Sequence, residues 1–286
     1  MKPAPFDYAK PATLEEAFGL LEGHGDDAQV LAGGQSLLPT LNMRLSAPAI
    51  LVDISALDAL RGISLDNEML RIGALTSHSE LQASEDVARA APLLALAVSH
   101  IAHPAIRNRG TFGGSLAHAD PAAEFPACVV ALDAGLEIAG RSGTRKVAAV
   151  DFFHGLYETG LGPGEILTAA EVPVLQKGFR SGFSEFARRT GDFAISALAA
   201  HAQFDGDTVR ELRLVFAGVD IRPLRATAAE KIVTGNAIAP ELLAEARARL
   251  GDDLRPTGDL HASAAMKLHL SGVLLERVLS EMAGAG

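Results

Sequence analysis

Cysteine is almost absent from this chain. Cys128 is the only one among 286 residues, which excludes an internal disulfide. An iron–sulfur cluster normally needs four cysteine ligands, so any such cluster serving this protein must lie on another polypeptide. His118, Asp120 and His103 lie close together in sequence, but they form neither a His-Glu-x-x-His pattern nor a Cys/His pattern. We therefore predict no metal site.

Basic residues and long apolar runs are also scarce. The 25 Lys and Arg against 35 Asp and Glu give a net charge of −10, with no basic cluster of the kind that binds nucleic acid. The most apolar stretch, residues 90–106, is interrupted by Pro92 and Pro104 and falls short of the roughly 18 residues that a membrane helix needs. The first eight residues lack the apolar core of a secretory signal. The sequence predicts a cytoplasmic protein.

Several nucleotide and hydrolase motifs are missing. No Gly-x4-Gly-Lys-Ser/Thr occurs, which disfavours a P-loop enzyme, and no Gly-x-Ser-x-Gly nucleophile elbow occurs. The run from Gly160 to Glu165 fails the last position of Gly-x-Gly-x-x-Gly. It is better explained as a turn before a strand.

The remaining composition is that of a globular protein, with 48% hydrophobic and 21% charged residues. Strand and helix patterns predict an α+β chain with a first domain over residues 1–176 and a second domain over 177–286. The first divides into an α/β subdomain, 1–56, and a subdomain of antiparallel strands and helices, 57–176. The second contains a three-stranded sheet, although its alanine-rich segment 197–202 is also compatible with a helix. Capping boxes predict helix starts at Thr13, Ser77 and Thr227.

Two glycine motifs carry the functional signal. Residues 32–37 read Ala-Gly-Gly-Gln-Ser-Leu after an apolar run, and residues 111–115 read Thr-Phe-Gly-Gly-Ser. Either motif alone is compatible with a simple tight turn. Together they offer hydroxyl donors and paired glycines whose successive N–H groups can face one anion, as a diphosphate requires.

With these motifs and the segments Ala-His-Ala-Asp-Pro-Ala-Ala-Glu (117–124) and Arg-Arg-Thr-Gly-Asp-Phe (188–193), the chain resembles the FAD-binding medium subunit of molybdenum hydroxylases. The resemblance runs over nearly the whole chain. It implies a vanillyl-alcohol-oxidase-type FAD-binding fold followed by a small α+β domain. It also implies non-covalent FAD, held by Ala32, Gly33, Gly34, Gln35, Ser36, Leu37, Ile101, Thr111, Gly113, Gly114, Ser115, His118, Glu124, Leu167 and Phe193.

The resemblance implies separate roles for five of these residues. His118 lines the cofactor site, and Glu124 stands where the family has an acidic residue near the ribityl chain or flavin ring. Leu167 corresponds to an apolar position beside the flavin ring, and Ile101 to one near the adenine. Phe193 stands where the carbon monoxide enzymes have a tyrosine. Its ring can cover a flavin face, but it has no hydroxyl group to form a hydrogen bond. Phe112 and Ser115 replace the more usual isoleucine and asparagine.

The resemblance further implies a division of labour between subunits. A large partner carries the molybdenum cofactor, a small partner carries 2Fe–2S clusters, and this chain passes electrons from those clusters through FAD to an external acceptor, in a dimer of heterotrimers. No residue of this chain then acts as a catalytic acid, base or nucleophile. A self-sufficient FAD-dependent oxidase or dehydrogenase and a non-catalytic nucleotide-binding scaffold are the alternatives. The organic substrate and the acceptor stay open.

Overall fold

A computed structural model of the protein describes residues 2–66 and 68–284. The chain begins with a small α/β layer made of strands β1–β3 and helices α1–α2: β1 Asp7–Ala9, α1 Leu14–His24, β2 Ala28–Leu31, α2 Leu37–Asn42 and β3 Ile50–Asp53. The three strands are parallel, in the order β1-β3-β2. Helix α1 buries Ala17, Phe18 and Leu21 against this sheet. Strand β2 runs directly into the first glycine motif.

An antiparallel sheet with helices on one side follows. Its strands are β4 Ile63–Leu65, β5 Met69–Gly73, β6 Gly135–Gly140, β7 Gly143–Ala148 and β10 Ile166–Pro173, in the order β4-β5-β10-β6-β7. The helices are α3 His78–Ala83, α4 Glu85–Ala90, α5 Pro92–Val98, α6 Pro104–Arg107, α7 Phe112–His118 and α8 Glu124–Ala131. A small hairpin joins β8 Phe153–Gly155 to β9 Glu158–Thr159.

The last part of the chain is a second antiparallel sheet covered by helices. Its strands are β11 Phe179–Ala187, β12 Ala194–Asp205, β13 Thr208–Ala217 and β14 Leu224–Arg225, paired in chain order. The helices are α9 Thr227–Val233, α10 Pro240–Ala248, α11 Leu250–Asp253 and α12 Ala264–Gly284. Within the described residues, no helix combines the length and apolar character needed to cross a membrane.

Alternating side chains join this second sheet to two different cores. Leu198 and Leu214 face α12, in a core with Leu275. Ala199 and Val215 face the other way and share one core with residues of α5 and α8. The C-terminal sheet is therefore packed against the helices that follow the second glycine motif.

The predicted α+β class is confirmed, and two local predictions need correction. The C-terminal sheet gains a short fourth strand, β14, beside the three long ones. Residues 197–202 form the predicted strand and not the alternative helix, because pairing on both sides and burial outweigh the helical preference of alanine. The capping box at Thr227 is absent, since the N-cap is Ala226 and Glu230 instead accepts a hydrogen bond from Leu214 N–H.

The box at Ser77 is confirmed in both of its hydrogen bonds. At Thr13 only the first bond is present: the threonine side chain accepts from Glu16 N–H, while the Glu16 carboxylate accepts from Ala12 N–H.

Candidate functional site

The first glycine loop, residues 32–37, leads from the end of β2 into α2. Gly34 lies at φ +73°, a conformation that glycine adopts at little cost. Gln35 Nε2 donates to Gly33 O at 3.0 Å, and Leu38 N–H donates to Gly34 O at 3.2 Å, which closes the turn. The N–H groups of residues 33–36 find no protein acceptor among the described residues. Successive unpaired N–H groups of this kind form an anion-binding concavity.

The first glycine loop lies directly on the segment that precedes the second motif. A Cβ added at Gly33 would be 2.1 Å from Arg109 O and 2.9 Å from Gly110 Cα. Glycine is needed here because the two backbones touch, and not because of an unusual φ. The fold therefore brings together two motifs that are separated by nearly eighty residues.

The second motif is the start of helix α7 and not an open loop. Thr111 is the N-cap, and its Oγ1 accepts from Gly114 N–H at 3.1 Å. Phe112 N–H donates to Thr76 O at 2.8 Å, and Gly113 N–H donates to Ala74 O at 2.9 Å. The expectation that this pair of glycines presents N–H groups to the ligand is wrong, because both groups are already bonded within the protein. The hydroxyl groups of Thr111 and Ser115 remain available as donors.

The glycines of the second motif are explained by packing. A Cβ at Gly113 would lie 2.4 Å from Ala74 Cβ, and one at Gly114 would lie 2.6 Å from Thr111 Oγ1. Neither residue has a positive φ, so close packing and not backbone conformation requires glycine at these two positions. Behind the motif, His78 N–H donates to Gly110 O at 2.9 Å, and burial lowers the pKa of the His78 ring to about 4. This histidine is neutral at physiological pH.

At the other end of α7, His118 packs against a tyrosine that the sequence did not single out. The rings of His118 and Tyr157 are 5.0 Å apart, and Tyr157 Oη donates to Asp120 Oδ2 at 3.4 Å. Ala119 and Tyr157 both have positive φ, at 50° and 56°. Such strain in non-glycine residues is common at binding sites. Burial lowers the pKa of His118, although the nearby Asp120 carboxylate opposes the shift.

Glu124 is the first residue of α8 and is 8% exposed. Burial raises the pKa of its carboxyl group to about 8, and the negative charges of Glu185 and Asp120 contribute to the rise. At neutral pH Glu124 therefore carries a proton and can donate a hydrogen bond. The family resemblance identified Glu124 as a site residue. Nothing in the sequence indicated that the charge of Glu185 acts on its pKa.

The remaining candidates are Ile101, Leu167 and Phe193. Ile101 is buried, and its carbonyl accepts from Arg107 Nη1 at 2.7 Å. The loop that carries Phe193 packs on the same segment, since a Cβ at Gly191 would be 2.7 Å from Ala102 O. Phe193 itself is 64% exposed. Leu167 is a buried residue of β10, next to Thr168, whose carbonyl accepts from Ala74 N–H at 2.8 Å.

Two family models cover the chain almost end to end. The model described as "FAD binding domain in molybdopterin dehydrogenase" matches residues 4–175, and the model described as "CO dehydrogenase flavoprotein C-terminal domain" matches residues 181–282. Together they span both glycine motifs, the His118–Glu124 segment and the Phe193 loop.

Individual proteins agree with this assignment. The chain is 38% identical to the 6-hydroxypseudooxynicotine dehydrogenase complex subunit alpha of Paenarthrobacter nicotinovorans, over 98% of this chain and 95% of that protein. A structure of carbon monoxide dehydrogenase from Hydrogenophaga pseudoflava superposes with a TM-score of 0.97 at 36% identity, covering 99% of both chains. The structure of quinoline 2-oxidoreductase from Pseudomonas putida 86 superposes with a TM-score of 0.93 at 38% identity, again with 99% of both chains covered. The chain therefore belongs to the family of FAD-binding medium subunits of molybdenum hydroxylases and is an oxidoreductase flavoprotein subunit.

Proposed function

We propose that the first glycine loop is the main diphosphate-binding element of this FAD subunit. The observation that carries the proposal is the set of four consecutive N–H groups, residues 33–36, with no protein acceptor in the described part of the chain. A hydrogen bond to a charged group contributes about 1.5–3 kcal/mol, so such a donor set holds a diphosphate without a covalent link. The hydroxyl groups of Ser36, Thr111 and Ser115 complete the donor set.

The other site residues surround the rest of the cofactor in this proposal. His118, Glu124, Leu167 and Phe193 are assigned to the flavin and ribityl end, and Ile101 to the adenine end. FAD supplies the redox chemistry, and the protein supplies binding, orientation and electrostatics. Protonated Glu124 can donate a hydrogen bond without placing a negative charge beside the cofactor. Tyr157, which supports the His118 ring, is added to this set as a positioning residue.

Electrons reach the flavin from a different polypeptide in this scheme. The one cysteine, Cys128, is fully buried, and burial raises the pKa of its thiol well above the usual value. A single buried thiol cannot hold a cluster that needs four cysteines. We assign electron input to a small 2Fe–2S subunit, substrate oxidation to a large molybdenum-cofactor subunit, and the assembly to a dimer of heterotrimers in the cytoplasm. Functionally, residues 1–176 form the FAD-binding domain and residues 177–286 the C-terminal flavoprotein domain.

The organic substrate is chosen outside this chain. The relatives named above include one protein named for 6-hydroxypseudooxynicotine, one for carbon monoxide and one for quinoline, at 36–38% identity. Similar levels of identity thus accompany chemically unrelated substrates. This pattern supports a subunit that handles electrons only.

The test uses the isolated subunit and the whole complex side by side. Acid precipitation of the subunit should release FAD into the supernatant, whereas flavin retained in the pellet would contradict non-covalent binding. Organic substrate should bleach the flavin of the complex and leave the spectrum of the isolated subunit unchanged. Rapid bleaching of the isolated subunit would favour a self-sufficient oxidase or dehydrogenase instead.

A further inference from the structure

The loop between β13 and β14, residues 218–223, contacts three segments of the proposed flavin end, and we call it the junction loop. Its first residue, Gly218, is buried, and its N–H donates to Pro121 O at 2.7 Å. Pro121 lies in the segment between His118 and Glu124. A backbone hydrogen bond thus ties this segment to the C-terminal domain.

Gly218 also touches the start of β12, the strand that follows the Phe193 loop. It lies at φ +77°, and a Cβ added there would be 2.7 Å from Ala194 O and 3.0 Å from Ile195 O. Both the backbone conformation and the close approach therefore require glycine. Because Ala194 directly follows Phe193, Gly218 holds the base of the Phe193 loop next to the 118–124 segment.

The other end of the junction loop contacts the hairpin that carries Tyr157. Arg222 Nη1 donates to Phe153 O at 3.2 Å, and Ile221 Cδ1 lies 3.8 Å from the position of a Cβ at Gly155. Strand β8 runs from Phe153 to Gly155 and leads into the turn that contains Tyr157. One short loop therefore contacts all three segments of the flavin end.

Two of these segments contain strained backbone. Ala119 and Tyr157 are non-glycine residues with positive φ, at 50° and 56°. Conformations of this kind persist only where the surrounding structure imposes them. The hydrogen bonds from the junction loop to Pro121 and Phe153 lie in the same two segments and supply part of that support.

A buried lysine anchors the junction loop. The Nζ atom of Lys267, near the start of α12, donates to Gly218 O at 2.8 Å and pairs with Asp259 Oδ2 at 2.7 Å. The side chain of Lys267 is only 9% exposed. A buried ammonium group is tolerated when it is paired and hydrogen-bonded, and both conditions are met here. The hydrogen bond from Lys267 in turn holds the pKa of Asp259 well below its usual range, so this carboxylate stays charged at neutral pH.

We propose that the junction loop, with Lys267 as its anchor, is a positioning element of the flavin site. It fixes the 118–124 segment, the Phe193 loop and the Tyr157 hairpin relative to one another. Lys267 acts on the flavin through these segments and not by touching it. This role rests on the proposed function, because it requires the flavin ring to lie against the three segments.

The variant Lys267→Met removes the anchor, and Arg180→Met is the matched control. Arg180 Nη1 likewise donates to a backbone carbonyl of α12, that of Met282 at 2.8 Å, but near the opposite end of the helix. Without FAD, the amide of Gly218 should exchange about fivefold faster in Lys267→Met, as expected for the loss of one hydrogen bond, and at the wild-type rate in Arg180→Met.

The flavin-loaded protein provides readouts that a general loss of stability would not move. In Lys267→Met the visible circular dichroism and the midpoint potential of bound FAD should shift, and both should keep their wild-type values in Arg180→Met. Wild-type values in Lys267→Met would overturn the positioning role. Equal shifts in the two variants would overturn it as well, because the effect would then not depend on the junction loop.

If Lys267→Met does not fold, Arg222→Met tests the junction loop at its other end, since it removes the hydrogen bond to Phe153 O from a half-buried side chain. The same shifts in circular dichroism and potential are expected, and unchanged values would overturn the proposal. Failure of the wild-type protein to bind FAD would instead refute the proposed function. The exchange rates without FAD would still show whether Lys267 holds the junction loop.

Discussion

In the first glycine loop the four N–H groups of residues 33–36 lack protein acceptors among the described residues, and Gly34 has a positive φ. In the second motif the N–H groups of Gly113 and Gly114 are bonded to Ala74 O and Thr111 Oγ1, and the backbone is helical. The first segment reads Gly-Gly-x-Ser and the second reads Gly-Gly-Ser. Despite this similarity, the first presents backbone N–H donors, whereas the second is packed against neighbouring backbone and supports the site. Glycine thus has a binding role in the first segment and a steric role in the second.

The largest effect is expected from Gly33→Ala. Its methyl group would lie 2.1 Å from Arg109 O, so the first loop must move and lose donors. Losing two hydrogen bonds to a charged diphosphate, about 1.5–3 kcal/mol each, weakens FAD binding by about a hundredfold or more. Gly23→Ala, on α1 with no neighbouring atom in the way, is the control. A flavin titration that gives the same Kd for Gly33→Ala and the wild type would refute the role of this loop.

The next largest effect is expected from Gly113→Ala. This variant should lower the stability of the fold more than it weakens FAD binding. The new methyl group would be 2.4 Å from Ala74 Cβ, and overpacking of this kind costs about 1–3 kcal/mol. Thermal unfolding should show a lowered Tm, while FAD affinity measured below that Tm should change less than in Gly33→Ala. If Gly113→Ala weakened FAD binding more than Gly33→Ala did, the second motif would be the donor loop and the first motif the packed support.

A smaller loss is expected from Thr111→Val. The variant removes the Oγ1 atom that caps α7, and loss of an N-cap costs about 1 kcal/mol. Thr111→Ser keeps both the cap and a hydroxyl donor and should retain the wild-type Tm. Denaturant unfolding of the two variants checks the difference, and equal stability of Thr111→Val and Thr111→Ser would show that the cap is unimportant.

The smallest effect at neutral pH concerns His78, beneath the second motif, because its contribution to stability changes only as the pH falls. Burial lowers the pKa of His78 to about 4, so the unfolded chain binds a proton first as pH falls. Stability should therefore be lost between about pH 6.5 and pH 4, by at most about 1.4 kcal/mol per pH unit. In a plot of the free energy of unfolding against pH, His78→Gln should flatten the region between about pH 6.5 and pH 4. The variant His24→Gln, at an exposed histidine, should leave this region unchanged. An equally steep curve in His78→Gln would show that its ring does not contribute.

Motifs and periodicity were enough to predict the fold class and most elements. The apolar run before Gly33 predicts β2, and the Ser77-x-x-Glu80 pattern predicts the start of α3, because both signals are local. At Thr227 the same kind of local pattern failed, since Glu230 is drawn to Arg225 and to the Leu214 N–H by tertiary contacts. For residues 197–202 the sequence left strand and helix open, and the strand is observed because these residues lie between two long strands.

The candidate site was harder to predict because its parts meet through space. The sequence identified both glycine motifs, but the contact of Gly33 with Arg109 depends on the packing of two subdomains. Tyr157 and Glu185 lie 39 and 61 residues beyond His118 and Glu124, respectively, and have no motif of their own. Their roles appear only when hairpin β8–β9 is placed beside α7 and strand β11 beside α5.

Hydrogen–deuterium exchange of individual amides, with and without FAD, tests the comparison most directly. Without FAD the amides of residues 33–36 should exchange quickly, because they lack protein acceptors, and those of Gly113 and Gly114 should already be protected. On adding FAD, new protection should appear at residues 33–36. New protection confined to residues 113–115, with 33–36 still exchanging quickly, would contradict the account.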